Sequence, residues 1–284
     1  MNIPRYWAKE SQRILDPQGK PFLAQAWRWS NLSPGDARQQ ALQAVMEIVQ
    51  RVRTNQQLDR YGYGERALRE EIIEAIGAGS RQPEALITRN AYGALILNTA
   101  RVMFVDIDFP EKSLTQGLGA ALKSLLRRSQ PSPEIPALQR LEAWTKSNPG
   151  WGMRVYRTKA GLRCLVTHDT FDPTQTTTVE LLRSLQADPL YVTLCKNQAC
   201  FRARLTPKPW RCGISAPPNA YPRQDENQQL KFQRWEQQYE RKILAYATCA
   251  HITDIGGAML HPEAEQILAI HDRYACARPG LPLA

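Results

Sequence analysis

The chain has 284 residues, 43% of them hydrophobic and 23% charged, with a formal net charge of +10 at neutral pH. That composition excludes a disordered, collagen-like or low-complexity protein, and the length suits one large domain or two small ones, each able to bury a core. No run approaches the roughly 18–20 apolar residues of a membrane span, and the N-terminal MNIPRYWAKESQRILD lacks the apolar stretch of a secretory signal, so a soluble cytoplasmic protein without membrane partners is expected.

In chain order, the short aromatic-rich run Phe22–Trp29 reads as a strand. A helix follows, with Ser33 as N-cap, Pro34 at its first position and Asp36 at the positive end of the dipole. Leu42, Val45, Met46, Ile48, Val49 and Val52 supply its apolar stripe as far as Arg53. A turn at Tyr61-Gly62-Tyr63-Gly64 and a second helix around Arg66–Ile76 complete residues 1–80, which read as an N-terminal helical cap or subdomain. From Ala85 the rhythm changes to short strands, Ala85–Thr88, Ala94–Asn98 and Arg101–Asp108. Helices are expected over Leu114–Arg128 and Ile135–Lys146, separated by the proline-rich SQPSPEIP. Strands Gly152–Arg157 and Leu162–Thr167 then flank a turn, and helices at Thr176–Gln186 and Leu190–Asn197 precede a strand at Cys200–Leu205. A polar helix Asn227–Ala245, a strand Thr248–Asp254 and a helix Pro262–Tyr274 close the chain. The order is that of an α+β fold, a largely antiparallel sheet carrying helices over residues 81–284.

The positive charge is localised. Residues 151–224 carry 11 basic and 4 acidic side chains, whereas residues 225–284 carry 6 and 8. A concentrated basic segment is what a phosphate-binding surface requires, although a solvated basic face would look the same by count alone. Six cysteines include Cys195 and Cys200, which loosely suggest zinc spacing, with Cys212 beyond. A structural zinc site needs a second close pair, and none follows, so buried free thiols are the expectation. The four histidines form no metal-binding pair.

Three patterns carry chemistry. The strand Val102–Asp108 ends in Asp106 and Asp108, which alternation puts on one face about 6–7 Å apart at their Cα atoms. Two carboxylates there repel each other, and Mg²⁺ or Mn²⁺ would relieve the repulsion; a strand merely ending in a solvated turn is the bland alternative. The turn Thr158-Lys159-Ala160-Gly161 offers a hydroxyl, an ammonium and backbone N–H groups to a phosphate, with Arg163 just beyond. In the third pattern Arg202 and Arg204 share a strand face, opposite Phe201, Ala203 and Leu205, and Lys208 and Arg211 follow. No acidic residue occurs between Asp188 and Asp225, so these cations are expected to be free for phosphates. Trp210 is expected to pack in the core, with stacking on a base as the other reading.

Taken in order, these patterns resemble the palm domain of the archaeo-eukaryotic primase superfamily over roughly residues 85–215. The family has an apolar strand ending in Asp-x-Asp, matched by Val102–Asp108, then a strand–turn–strand of the form Ser-x-x-Gly-x-His. Thr158-Lys159-Ala160-Gly161-Leu162-Arg163 is similar to that element, with Thr158 for the serine and Arg163 for the histidine. Arg204-Leu205-Thr206-Pro207-Lys208 is similar to the family's basic segment near the nucleotide. The resemblance implies an RRM-like palm in which Asp106 and Asp108 hold Mg²⁺ or Mn²⁺, with a third carboxylate from Asp169, Asp172 or Asp188. It further implies that Arg163, Thr158, Lys159, Gly161, Arg202, Arg204, Lys208 and Arg211 surround a nucleoside triphosphate and a DNA or RNA strand. The expected activity is nucleotidyl transfer to a primer. The alternatives are a palm that binds nucleic acid without catalysis, favoured by the missing histidine, and a metal-dependent nuclease or other phosphotransferase.

Overall fold

The structure is a computed structural model that describes residues 1–57, 67–77, 83–109, 133–257, 259–276 and 280–284. Its N-terminal segment is not the helical cap expected from the sequence but begins with a hairpin. Strands β1 (Tyr6–Leu15) and β2 (Pro21–Ser30) pair antiparallel, from Tyr6 opposite Ser30 to Leu15 opposite Pro21. The sequence hides β1 because its central KESQR run is polar on both faces, so no apolar alternation marks it. Helix α1 (Pro34–Arg53) starts as its signals predict, with the Asp36 N–H donating to Ser33 Oγ at 3.1 Å. Its buried face is Ala37, Ala41, Ala44, Val45 and Val49, while Leu42 and Met46 of the expected stripe are exposed. The alanines allow close approach to the hairpin, and Ala44, Val45 and Val49 share a small core with Ala24 and Ala26.

The helix expected over Arg66–Ile76 is corrected to a strand, β3 (Glu71–Ile76), which pairs with β4 (Ala85–Arg89) around a bulge between Ile72 and Glu74. Ladder hydrogen bonds to β4 override the helix-like spacing of Ile72, Ile73 and Ile76, and the sheet therefore crosses the boundary expected at residue 80. The turn at Tyr61–Gly64 and the helix at Leu114–Arg128 fall outside the described residues.

Two four-stranded antiparallel sheets follow, in place of the single sheet expected. In the first, β3 and β4 continue into β5 (Leu95–Thr99) and then β9 (Phe201–Arg204). In the second, β6 (Phe104–Asp108) pairs with β8 (Gly161–Val166), β8 with β7 (Gly152–Thr158), and β7 with the edge strand β10 (Cys249–Gly256). One core joins both sheets, with Val105, Val155 and Leu165 from one and Ile87, Leu97 and Phe201 from the other. Onto it pack α2 (Glu134–Ser147) through Ala137 and Leu141, α3 (Thr176–Ser184) through Val179 and Leu182, and α4 (Pro189–Gln198) through Tyr191 and Val192. Helix α5 (Glu226–Ile243) buries Phe232, Trp235 and Tyr239 in a separate cluster, and α6 (Pro262–Ala275) adds Ala264 and Ile267 to the main core. The architecture is α+β, as expected. Among the described residues, no helix is long and apolar enough to cross a membrane.

Candidate functional site

Strand β6 is buried through Phe104 and Val105, and its last residues alternate. Val105 and Ile107 face the core, Asp106 is partly open and Asp108 is exposed. Both aspartates thus share a face, as the spacing predicts. Asp106 sits opposite Arg163 in the β6–β8 ladder and Asp108 opposite Gly161. Arg163 Nε lies 3.4 Å from Asp106 Oδ1, an ion pair too poorly aligned to count as a hydrogen bond, and Arg163 Nη1 donates to the Arg204 carbonyl at 2.8 Å. The Arg163 side chain is only 2% exposed. Burial is the strongest single influence and works against its charge, but Asp106, Cys249 and Tyr191 together raise the guanidinium pKa above its ordinary range. The expectation that Arg163 stands open to a phosphate is therefore corrected: it is a buried brace between Asp106 and β9.

Helix α4 brings a third carboxylate. Its N-cap Asp188 accepts from the Tyr191 N–H at 2.8 Å, and the Asp188 N–H donates to the Asp106 carbonyl at 2.8 Å. The Tyr191 hydroxyl donates to the Phe104 carbonyl at 2.9 Å, so the start of the helix is stitched to β6 at two points. Burial, then the charges of Asp106 and Asp188, raise the pKa of Asp108, while Arg204 and Lys208 pull it down. Three carboxylates and two cations thus act on one another at the end of β6. Asp169 and Asp172 do not join them. β8 runs antiparallel to β6 and ends at Val166, and the Phe171 N–H donates to the Arg101 carbonyl, so both lie beyond the opposite end of β6.

The basic residues divide. Arg204 is largely buried, its Nε has no partner among the described residues, and burial with the Arg163 charge pulls its pKa down to about 10. It remains a cation at neutral pH. Lys208 is half-buried, and burial, Arg204 and Arg211 lower its pKa while Asp108 and Asp106 raise it. Arg211, one turn on in a short 3₁₀ helix over Pro209–Cys212, belongs to the same electrostatic group. Arg202 does not: its Nη2 pairs with Glu70 Oε1 at 2.7 Å, with Glu70 buried and Arg202 nearly so. The absence of acids near Arg202 in sequence hid a partner 132 residues away.

The turn after β7 has a structural role in addition to its polar tip. A Cβ on Gly161 would stand 1.9 Å from the Ile107 carbonyl oxygen, so only glycine lets β8 lie against the end of β6. The Phe109 N–H donates to the Ala160 carbonyl at 2.8 Å and holds the turn beside Asp108. Thr158 pairs in register with Cys249 on β10, and Lys159 is exposed at the tip. Trp210, expected in the core, is 50% exposed and meets the equally open Tyr92 edge to face, with ring centroids 5.2 Å apart. Lys208 Nζ lies 5.4 Å from the Trp210 ring centre. Tyr92 had no distinguishing signal in sequence, because it sits in the Asn90–Gly93 turn far from the basic segment.

Hard oxygen donors on one face suit Mg²⁺ or Mn²⁺, which commonly bind through one or two carboxylates plus substrate phosphates. Among the described residues no group of three or more His, Cys, Asp or Glu side chains is arranged to hold a metal ion. A cation on Asp106 and Asp108 would therefore have to complete its shell with phosphate and water, because the described residues supply no closed protein site. All six cysteines are free thiols, five of them buried and Cys276 half-buried. No protein-family model, curated protein or solved structure matches the chain.

Proposed function

We propose that the chain is a divergent primase–polymerase-like nucleotidyltransferase that adds nucleotides to a primed nucleic-acid strand. The observation that supports it is the convergence of Asp106, Asp108 and Asp188 with Arg204 and Lys208 at one strand end. Asp106 and Asp108 hold Mg²⁺ or Mn²⁺, which when bound neutralises and polarises the phosphates. Arg204 and Lys208 bind the triphosphate, and Arg211 extends the positive surface towards the strand. Arg163 braces Asp106 from behind. Trp210 and Tyr92 offer a ring face to an unpaired base beside Lys208. The six free thiols agree with work in a reducing cytoplasm.

A second reading, a palm that binds nucleic acid without catalysis, is favoured by the Arg163–Asp106 pair, in which a fixed cation already compensates one carboxylate. A primed template with labelled nucleoside triphosphates and Mn²⁺ separates the two. Extension by the wild-type chain, lost in Asp108→Asn with the circular dichroism unchanged, supports nucleotidyl transfer. Retarded template without extension supports the binding protein. A strand that shortens overturns both and assigns phosphodiester hydrolysis.

A further inference from the structure

The face of the sheet that bears Asp106 and Arg163 continues through Tyr156 on β7 to Cys249 on β10, where it carries a second group of reactive side chains that the proposed transfer does not use. Cys249, at the start of β10, is fully buried, whereas Cys276, at the C-cap of α6, is half-buried. Their sulfurs are 3.2 Å apart. The backbone fixes this approach: the Thr248 N–H donates to the Ala275 carbonyl at 3.0 Å, and the Cys276 N–H closes the helix onto the Asp272 carbonyl at 3.0 Å. Closing the gap to a disulfide length of about 2.05 Å needs a movement of about 1 Å, within the reach of side-chain rotation.

A base stands behind the pair. His271 Nε2 lies 3.9 Å from Cys249 Sγ, and His271 Nδ1 lies 3.0 Å from Asp272 Oδ1. A carboxylate accepts only, so Nδ1 carries the proton and Nε2 presents its lone pair to the thiol. Burial lowers the His271 pKa, which keeps the ring neutral and able to accept. The Cys276 contact and burial hold the Cys249 thiol well above its ordinary range, so it needs such a base to react. Asp272 is itself fixed by the Tyr156 hydroxyl, which donates to Oδ1 at 2.6 Å, and by Arg154 Nη1 at 3.2 Å from Oδ2.

We propose that Cys249 and Cys276 form a peroxide-reactive dithiol that closes to a disulfide, with His271 taking the proton of Cys249. The Cys276 sulfur attacks one oxygen of hydrogen peroxide, the O–O bond breaks, and hydroxide leaves with the thiol proton as water. The Cys249 sulfur then attacks the Cys276 sulfenyl sulfur as its proton passes to His271 Nε2. The S–O bond breaks, and the departing hydroxide takes that proton as a second water. Two thiols lose two electrons in all and one peroxide gains them.

The test treats the full chain with hydrogen peroxide, alkylates it under denaturing, non-reducing conditions and maps its peptides by mass spectrometry. The expected product is a Cys249–Cys276 linked peptide pair, lighter by two hydrogen atoms and restored by dithiothreitol, with two of the six thiols lost to alkylation. Cys249→Ser should stop at a Cys276 sulfenic acid that dimedone captures, and Cys276→Ser should leave Cys249 alkylatable. His271→Gln should slow disulfide closure tenfold or more while sulfenic acid still forms at its wild-type rate, a split that general loss of folding would not produce. Cys249 and Cys276 remaining alkylatable while other cysteines oxidise would overturn the proposal, as would a Cys276 sulfenic acid that persists in the wild-type chain. Strand extension is not read in this experiment, so its outcome is independent of the nucleotidyl-transfer reading.

Discussion

Arg163 and Asp108, two positions apart along the β6–β8 ladder, define opposite electrostatic situations. Arg163 is buried against two partners, the Asp106 carboxylate as an ion pair and the Arg204 carbonyl as a hydrogen-bond acceptor. Arg163→Met leaves both without it and should cost about 2–3 kcal/mol in urea denaturation, below the cost of breaking a fully buried pair because Asp106 is partly open. Arg163→Lys restores the charge but not the two-pronged reach, and should recover only part of the loss. Asp108 has the reverse effect. Its pKa is raised in the folded chain by burial, Asp106 and Asp188, so the folded state binds its proton more tightly than the unfolded chain. Stability from this group is therefore lost as pH climbs from the ordinary carboxylate range through the raised value. Asp108→Asn should stabilise the chain at pH 7, by less than about 1 kcal/mol because water screens the site, read as a raised melting temperature, and the advantage should vanish below the ordinary aspartate range. A gain in stability with a loss of activity is the expected signature of a functional carboxylate. Trp210→Ala should leave stability almost unchanged, yet weaken single-stranded binding by about 1–3 kcal/mol in a fluorescence titration.

At the scale of elements, the site depends on how closely β8 approaches β6. Gly161→Ala forces a methyl group into the Ile107 carbonyl and should destabilise the chain by at least about 2 kcal/mol, with amide shifts in an NMR spectrum concentrated in β6 and β8. β6 and the β7–turn–β8 hairpin were legible in sequence because their signals are local: an apolar run ending in two alternating aspartates, and a glycine at a turn between two short apolar strands. The helix caps were legible for the same reason, as Ser33 shows. What remained hidden is non-local. Arg202 looked free because Glu70, its partner, reaches it only through the β3–β4–β5–β9 sheet. Arg163 looked like a phosphate ligand because nothing in the sequence says that β9 covers it. Asp188 could not be chosen over Asp169 and Asp172 until strand direction set which end of β6 each one approaches. β1 and β3 were missed because neither alternates cleanly and their ladders alone define them.

Across the whole molecule, the net charge of +10 resolves into paired and unpaired parts. Arg89, Arg154, Arg157, Arg202 and Arg223 are tied to carboxylates, whereas Arg204, Lys208 and Arg211 gather at the end of β6. Binding to a nucleic acid should weaken steeply with salt, and Lys208→Ala should reduce the slope of log K against log salt by roughly 1. The hairpin and α1 have their own small core, so Val45→Ala should speed amide exchange there while exchange in β6 and β8 stays unchanged. That would separate the N-terminal body from the site in stability. The most direct measurement of the site itself is Mn²⁺ binding, followed by electron paramagnetic resonance, with and without a nucleoside triphosphate. The carboxylate pair at the end of β6 predicts Mn²⁺ bound tightly only when the triphosphate is present, through Asp108, and lost in Asp108→Asn. Equal Mn²⁺ uptake by the wild-type and Asp108→Asn chains, or none by either, would contradict it.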